Sequence, residues 1–150
     1  MILWRISNYA DLSGAGGLMR QGRWHHRGRP AVYLASSAAS ALLEALVHLE
    51  AATPGELPRN YQLLEVGLPD NASVQDAPEQ TSADWRQQLT LTRRIGDQWL
   101  AAGSTLLLRV PSAVVGRTVN LLFNPAHPQA PECRVVSVAR YPFDGRLVAK

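Results

Sequence analysis

Short apolar stretches outnumber the helical patterns in this chain and do not alternate with them, and that arrangement most constrains its fold. Ile2–Ile6, Ala31–Ala35, Tyr61–Leu68, Ser104–Val110, Val119–Phe123 and Arg134–Ala139 read as strands, the second opened by Pro30 and the fourth stopped by Pro111. Ser36 or Ser37 caps a helix that runs to about Ala52 and is ended by Pro54-Gly55. Asp84 caps a short helix, and Thr90–Ala102 forms another that Gly103 closes. A doubly wound parallel sheet requires regular alternation of strand and helix, which is missing here. The expected class is α+β, a mixed β-sheet core with flanking helices. Ser7–Gly17, which holds Gly14, Gly16 and Gly17, reads as a loop, and 69–84 as a long surface loop containing Pro69, Asp70, Asn71, Pro78 and Ser82.

A chain of 150 residues can bury roughly 70% of the surface its unfolded form exposes, so residues 1–150 are expected to form one domain. With 46% hydrophobic and 18% charged residues the chain is not a disordered one. No apolar run is long enough to span a bilayer. Met1-Ile2-Leu3-Trp4-Arg5 lacks the pattern of a secretory signal. Cys133, the single cysteine, allows no intramolecular disulfide and no thiolate metal cluster. These features lead us to expect a cytosolic protein with no membrane association.

The formal net charge is +3, and every basic residue except Lys150 is arginine. Arginine presents a planar fork of donors suited to phosphate or carboxylate, although codon usage in a GC-rich genome accounts for the bias equally well. A sequence pI of 9.5 suits a nucleic-acid binder. Against that reading, the arginines are scattered and no basic stripe is interleaved with aromatics.

Few residues carry chemistry by pattern alone. Gly14 and Gly16 fit a dinucleotide fingerprint, but Met19 stands where its third glycine belongs, so a flexible loop is the better reading. Gly22-Arg23-Trp24-His25-His26 is either a surface turn with one buried tryptophan or a pyrophosphate clamp beside a stacking ring. On a helical wheel, Leu42, Leu46 and Leu49 form one stripe with Leu43 at its edge, and Glu44 falls opposite, next to His48. Glu44 is then either a solvated residue or a carboxylate aimed into a cleft, where it can stabilise an oxocarbenium-like centre. Tyr33 is a half-buried core aromatic or a stacking platform. His25, His26 and His127 lack metal-ligand spacing. Val110-Pro111-Ser112-Ala113, Asn120 and Asn124-Pro125-Ala126-His127-Pro128 place polar groups at strand ends, where sites are often built.

Together these segments resemble the RES-domain family of bacterial toxins, named for its Arg, Glu and Ser. The resemblance spans nearly the whole chain. It runs through Trp4-Arg5-Ile6, Gly17-Leu18, Gly22-Arg23-Trp24, Tyr33-Leu34-Ala35-Ser36-Ser37, Ala41-Leu42-Leu43-Glu44 with Val47-His48, Gly96-Asp97-Gln98-Trp99-Leu100, and the two late motifs just quoted. It implies an ADP-ribosyltransferase-like fold and an enzyme that consumes NAD as substrate, without metal or further cofactor. The products follow either from hydrolysis of the nicotinamide–ribose bond or from transfer of ADP-ribose to a protein or to phosphate. The shortness of the chain favours hydrolysis. By resemblance, Glu44 is the catalytic carboxylate, Arg5 and Arg23 bind NAD phosphates or ribose, and Tyr33 lies against nicotinamide. Ser112 holds the ligand or shapes the cleft, and Trp99 lies near the pocket. The same resemblance implies an Xre-type helix-turn-helix antitoxin as partner, a homodimer, and no direct contact with nucleic acid. A nucleic-acid-binding growth inhibitor and a non-catalytic interaction module are the competing classes.

Overall fold

The computed structural model describes residues 1–148 and builds a seven-stranded sheet in the order β4-β5-β6-β2-β1-β3-β7. In chain order the elements are β1 (Ile2–Ser7), α1 (Ala15–Met19), β2 (Val32–Ala35), α2 (Ala38–Leu49), β3 (Gln62–Gly67), β4 (Val74–Asp76), α3 (Leu89–Ala102), β5 (Leu107–Pro111), β6 (Val119–Phe123) and β7 (Arg134–Arg140). Only β4 and β5 pair in parallel; every other pairing is antiparallel. The mixed α+β class expected from the strand pattern is the one observed.

Side-chain alternation divides the sheet into two faces. Leu3, Val32, Leu34, Leu64, Val66, Leu107, Leu121 and Phe123 point to one side and form the largest apolar cluster. Burying each such side chain contributes roughly 1.5–3 kcal/mol. Tyr33, Ala35, Leu108, Val110 and Leu122 point to the other side, beneath the two long helices and the Trp24, Trp85 and Trp99 cluster.

The helices differ from expectation in instructive ways. The Ser7–Gly17 stretch is not all loop, because its end winds into α1, preceded by Gly14 at φ 77°. Ser37 caps α2 by accepting from the Ser40 N–H at 3.1 Å, and the helix stops at Leu49 because Glu50 takes a left-handed conformation (φ 53°). Asp84 precedes one 3-10 turn, Trp85–Gln87, but its carboxylate accepts from Ser82 and Gln88 instead of capping it. Within 69–84, Val74-Gln75-Asp76 forms β4. Three residues carry too little alternation to announce a strand, and this one exists because β5 supplies its partner.

The packing of α2 positions the site. Of the Leu42/Leu46/Leu49 stripe, only Leu42 joins the contact with the sheet. Ala41, Leu42 and Ala45 press against Ile6, Ala35 and Trp4, and Leu43 is 43% exposed. Small residues let the helix approach the sheet closely, which rotates Glu44 from the far side to the flank, over the end of β6.

Candidate active site

Glu44 is the centre of the arrangement. Val110 of β5 lies opposite Asn120 of β6, and Ser112 follows β5 with its N–H donating to Thr118 O at 2.9 Å. Alternation therefore brings Ser112 and Asn120 side by side on the face under α2. Ser112 Oγ donates to Glu44 Oε1 at 2.6 Å, and Asn120 Nδ2 donates to the same oxygen at 2.7 Å. The hydroxyl oxygen of Ser112 also accepts from the N–H groups of Val114 and Val115, both at 3.1 Å. Its two lone pairs are thus filled, and its proton has only Glu44 to go to. Oε1 is held as an acceptor by two donors. Among the described residues Oε2 has no hydrogen-bond partner, so one carboxylate oxygen is fixed and the other is free.

Arg23 faces this carboxylate from the 22–26 turn. The N–H of Gly22 donates to His25 O at 3.1 Å to close the turn, and α3 holds it from outside. Thr92 Oγ1 donates to Arg23 O at 2.7 Å, Arg93 Nε to Gly22 O at 2.8 Å, and the His26 N–H to Asp97 Oδ1 at 3.0 Å. Gly96 leaves room for the Trp24 carbonyl, which a Cβ there would strike. The guanidinium of Arg23 donates to Arg86 O at 2.7 Å, and Arg86 Nε donates to Ala113 O at 3.1 Å, beside Ser112. Both guanidiniums lie against the Trp85 ring, at 5.8 and 4.9 Å from its centroid. Burial draws the Arg23 pKa below its ordinary range; the Glu44 carboxylate opposes this, while Arg93 and Arg86 reinforce it. Arginine remains a cation through such shifts. Among the described residues Arg23, Arg86 and Arg93 make no ion pair. Each of the three guanidiniums donates to a backbone carbonyl and keeps further donors.

Tyr33 lies between these parts. Gly17 O can only accept, so the contact from His25 Nε2 at 3.2 Å puts the ring proton on Nε2. His25 Nδ1 then accepts from the Tyr33 hydroxyl at 2.8 Å, and the Tyr33 oxygen accepts from the Trp24 N–H at 3.1 Å. Burial lowers the His25 pKa and keeps the ring neutral, and burial raises the Tyr33 hydroxyl well above its usual range. With its proton and oxygen both engaged, Tyr33 offers a ligand its ring rather than its hydroxyl. A Cβ on Gly22 would collide with that hydroxyl, which accounts for the glycine.

The structure brings together Glu44, Arg23, Tyr33 and Ser112 from the expected set. It does not bring in Arg5. Trp4 and Ile6 face α2, so Arg5, paired with Leu64, projects from the opposite face, where Nη1 donates to Asp11 O at 3.0 Å. Trp99 lies behind the Arg23-bearing turn, buried rather than exposed to a ligand. It is 4% exposed, its Nε1 donates to Thr105 Oγ1 at 2.9 Å, and it packs among Trp24, Trp85, Leu108 and Leu122. Ser112, 3% exposed, spends its one proton on Glu44 rather than on a ligand. Arg86 and Arg93 were not singled out from the sequence, and His25 was noted there only within the 22–26 segment and as a histidine without metal-ligand spacing. For Arg93 the signal is the spacing of Thr92, Arg93, Gly96 and Asp97 on one face of α3, and no local pattern marks Arg86.

Known proteins resemble this chain in sequence and in fold. The RES domain family matches residues 2–144. A Pseudomonas putida protein named Toxin Res is 50% identical across 98% of this chain and 99% of its own. A Sphingobium protein named Prs ADP-ribosylating toxin is 39% identical across 98% and 96%. A Yersinia enterocolitica protein, also named Toxin Res, is 36% identical across 98% and 99%. Among solved structures, the M. tuberculosis MbcT-MbcA toxin–antitoxin complex contains a chain of the same fold. It aligns with a TM-score of 0.61 and 20% identity over 93% of this chain and 83% of that one.

Proposed function

This chain is a member of the RES-domain family, and we propose that it is the toxin of a toxin–antitoxin pair that destroys NAD by breaking the nicotinamide–ribose bond. The observation that carries the reading is the Glu44 carboxylate, clamped at Oε1 and, among the described residues, free at Oε2, on the same side as Arg23, which makes no ion pair among those residues. Breaking this glycosidic bond makes the ribose cationic, so a fixed carboxylate beside the anomeric carbon lowers the barrier. Arg23, Arg86 and Arg93 hold the pyrophosphate, and the Tyr33 ring lies against nicotinamide. Nicotinamide departs as a neutral ring, and water adds to the sugar to give ADP-ribose and one proton. No strong acid is needed for the leaving group, which fits a Tyr33 hydroxyl already donated to His25.

A second reading, transfer of ADP-ribose to a protein, is favoured by the name of the Sphingobium relative, 39% identical to this chain. The same site serves both, since only the acceptor differs. The antitoxin is a protein that covers this cleft, of the Xre helix-turn-helix type that the family resemblance implies. The relatives named as toxins and the complex in which the structural neighbour was solved support such a partner. Co-purification from an operon-length expression unit tests it; a chain produced alone that cells tolerate counts against it.

Incubating the purified chain with NAD and separating the products tests the reaction. Free nicotinamide with ADP-ribose establishes hydrolysis, a labelled protein establishes transfer, and phosphorylated ADP-ribose establishes phosphorolysis. Intact NAD after prolonged incubation rejects all three.

A further inference from the structure

We propose that Asn120 is a positioning residue for Glu44, present for the reaction at a cost to stability. Asn120 is 9% exposed, and its register neighbours on the same face are Val110 and Ala35. Its Nδ2 donates to Glu44 Oε1 at 2.7 Å. Its Oδ1 is buried and has no hydrogen-bond partner among the described residues. A buried carbonyl with nothing to accept from destabilises the fold. An apolar residue of similar size, such as leucine, removes that penalty against the apolar strand neighbours Ala35 and Val110. The one thing leucine cannot supply is a donor to the carboxylate.

The second donor sets an angle as well as an energy. Ser112 alone leaves the carboxylate able to swing about the Ser112–Oε1 contact. Ser112 and Asn120 together fix Oε1 from two directions and so fix where Oε2 points. Asn120 acts on the reaction through Glu44 and does not itself touch the substrate. It governs the rate of the chemical step more than the affinity for substrate.

The inference rests on the reading of Glu44 as the acting carboxylate, and its test separates the two. Asn120→Leu and the isosteric Asn120→Asp are compared with the unaltered chain by thermal unfolding, by NAD kinetics and by growth arrest on expression. Asn120→Leu is expected to melt no lower than the unaltered chain, with kcat at least tenfold lower and KM within threefold. Asn120→Asp sets a second carboxylate against Oε1 and is expected to lose at least as much rate. A strongly lowered melting temperature for Asn120→Leu, or an unchanged rate in both variants, overturns the inference. If the unaltered chain leaves NAD intact, the NAD reading fails, and growth arrest then decides the role of Asn120. Loss of arrest with folding retained upholds it, and undiminished arrest overturns it.

Discussion

Ser112 donates to Glu44 Oε1 across 2.6 Å, and it can do nothing else with its proton, because the N–H groups of Val114 and Val115 occupy its oxygen. Ser112→Ala removes a hydrogen bond to a charged group, an interaction of about 1.5–3 kcal/mol. Expressed in the transition state, that corresponds to a rate roughly 10- to 150-fold lower. The turn at 112–115 also loses its acceptor, so a lower melting temperature accompanies the loss. Steady-state kinetics on Ser112→Ala check this, and an unaltered kcat contradicts the clamp.

The two N-terminal arginines are predicted to behave oppositely. Arg23 lies on the Glu44 side of the sheet, and Arg5 projects from the other face. Arg23→Lys keeps the charge and loses the fork, so KM for NAD should rise about tenfold or more. Arg5→Gln, distant from the site, should leave kcat/KM of the folded protein within about twofold. Equal losses in the two variants would mean that the faces are wrongly assigned.

Gly96 is where α3 meets the arginine-bearing turn. A Cβ there runs into the Trp24 carbonyl, so Gly96→Ala must push the turn away from the helix. Such overpacking costs about 1–3 kcal/mol, or a melting temperature about 2–12 °C lower. Activity should fall further than stability accounts for, since Arg23 and His25 shift with the turn. Calorimetry and kinetics on one preparation check both, and a fully stable, fully active Gly96→Ala protein rules out the contact.

His25 gives the fold a pH dependence of known sign. Burial lowers its folded-state pKa below the ordinary 6.5. Above that pH both folded and unfolded chains carry a neutral ring, and His25 contributes nothing to the slope. As pH falls below 6.5, the unfolded chain takes up a proton that the folded one resists, so stability declines until the folded-state pKa is reached. Urea unfolding at neutral and mildly acidic pH should show this decline, and His25→Gln should flatten it. An equal slope in the variant would assign the effect to other groups.

Some of this was readable in the sequence and some was not, for physical reasons. The strand pattern carried the mixed α+β class because apolar alternation is local. Glu44, Arg23, Tyr33 and Ser112 were accessible through motif order. That Arg5 takes the other face of the sheet and that Trp99 is buried behind the 22–26 turn were not legible, because a motif does not say which face of a sheet, or which side of a core, a side chain takes. The helical wheel sent Glu44 the wrong way because it weighs leucines above alanines, whereas close approach through Ala41 and Ala45 decided the packing. Asn120 and Arg93 act on partners 76 and 71 residues away in the chain, Glu44 and Gly22, and no local pattern encodes such pairs.

The most direct measurement is NAD consumption by Glu44→Gln beside the unaltered chain, with binding followed by calorimetry. Glutamine keeps the size of the side chain and removes its charge. The account predicts that NAD still binds and that turnover drops by about 10²–10³-fold, the scale of losing a fixed charge opposite a charge that develops in the transition state. A Glu44→Gln protein that releases nicotinamide at the unaltered rate contradicts it.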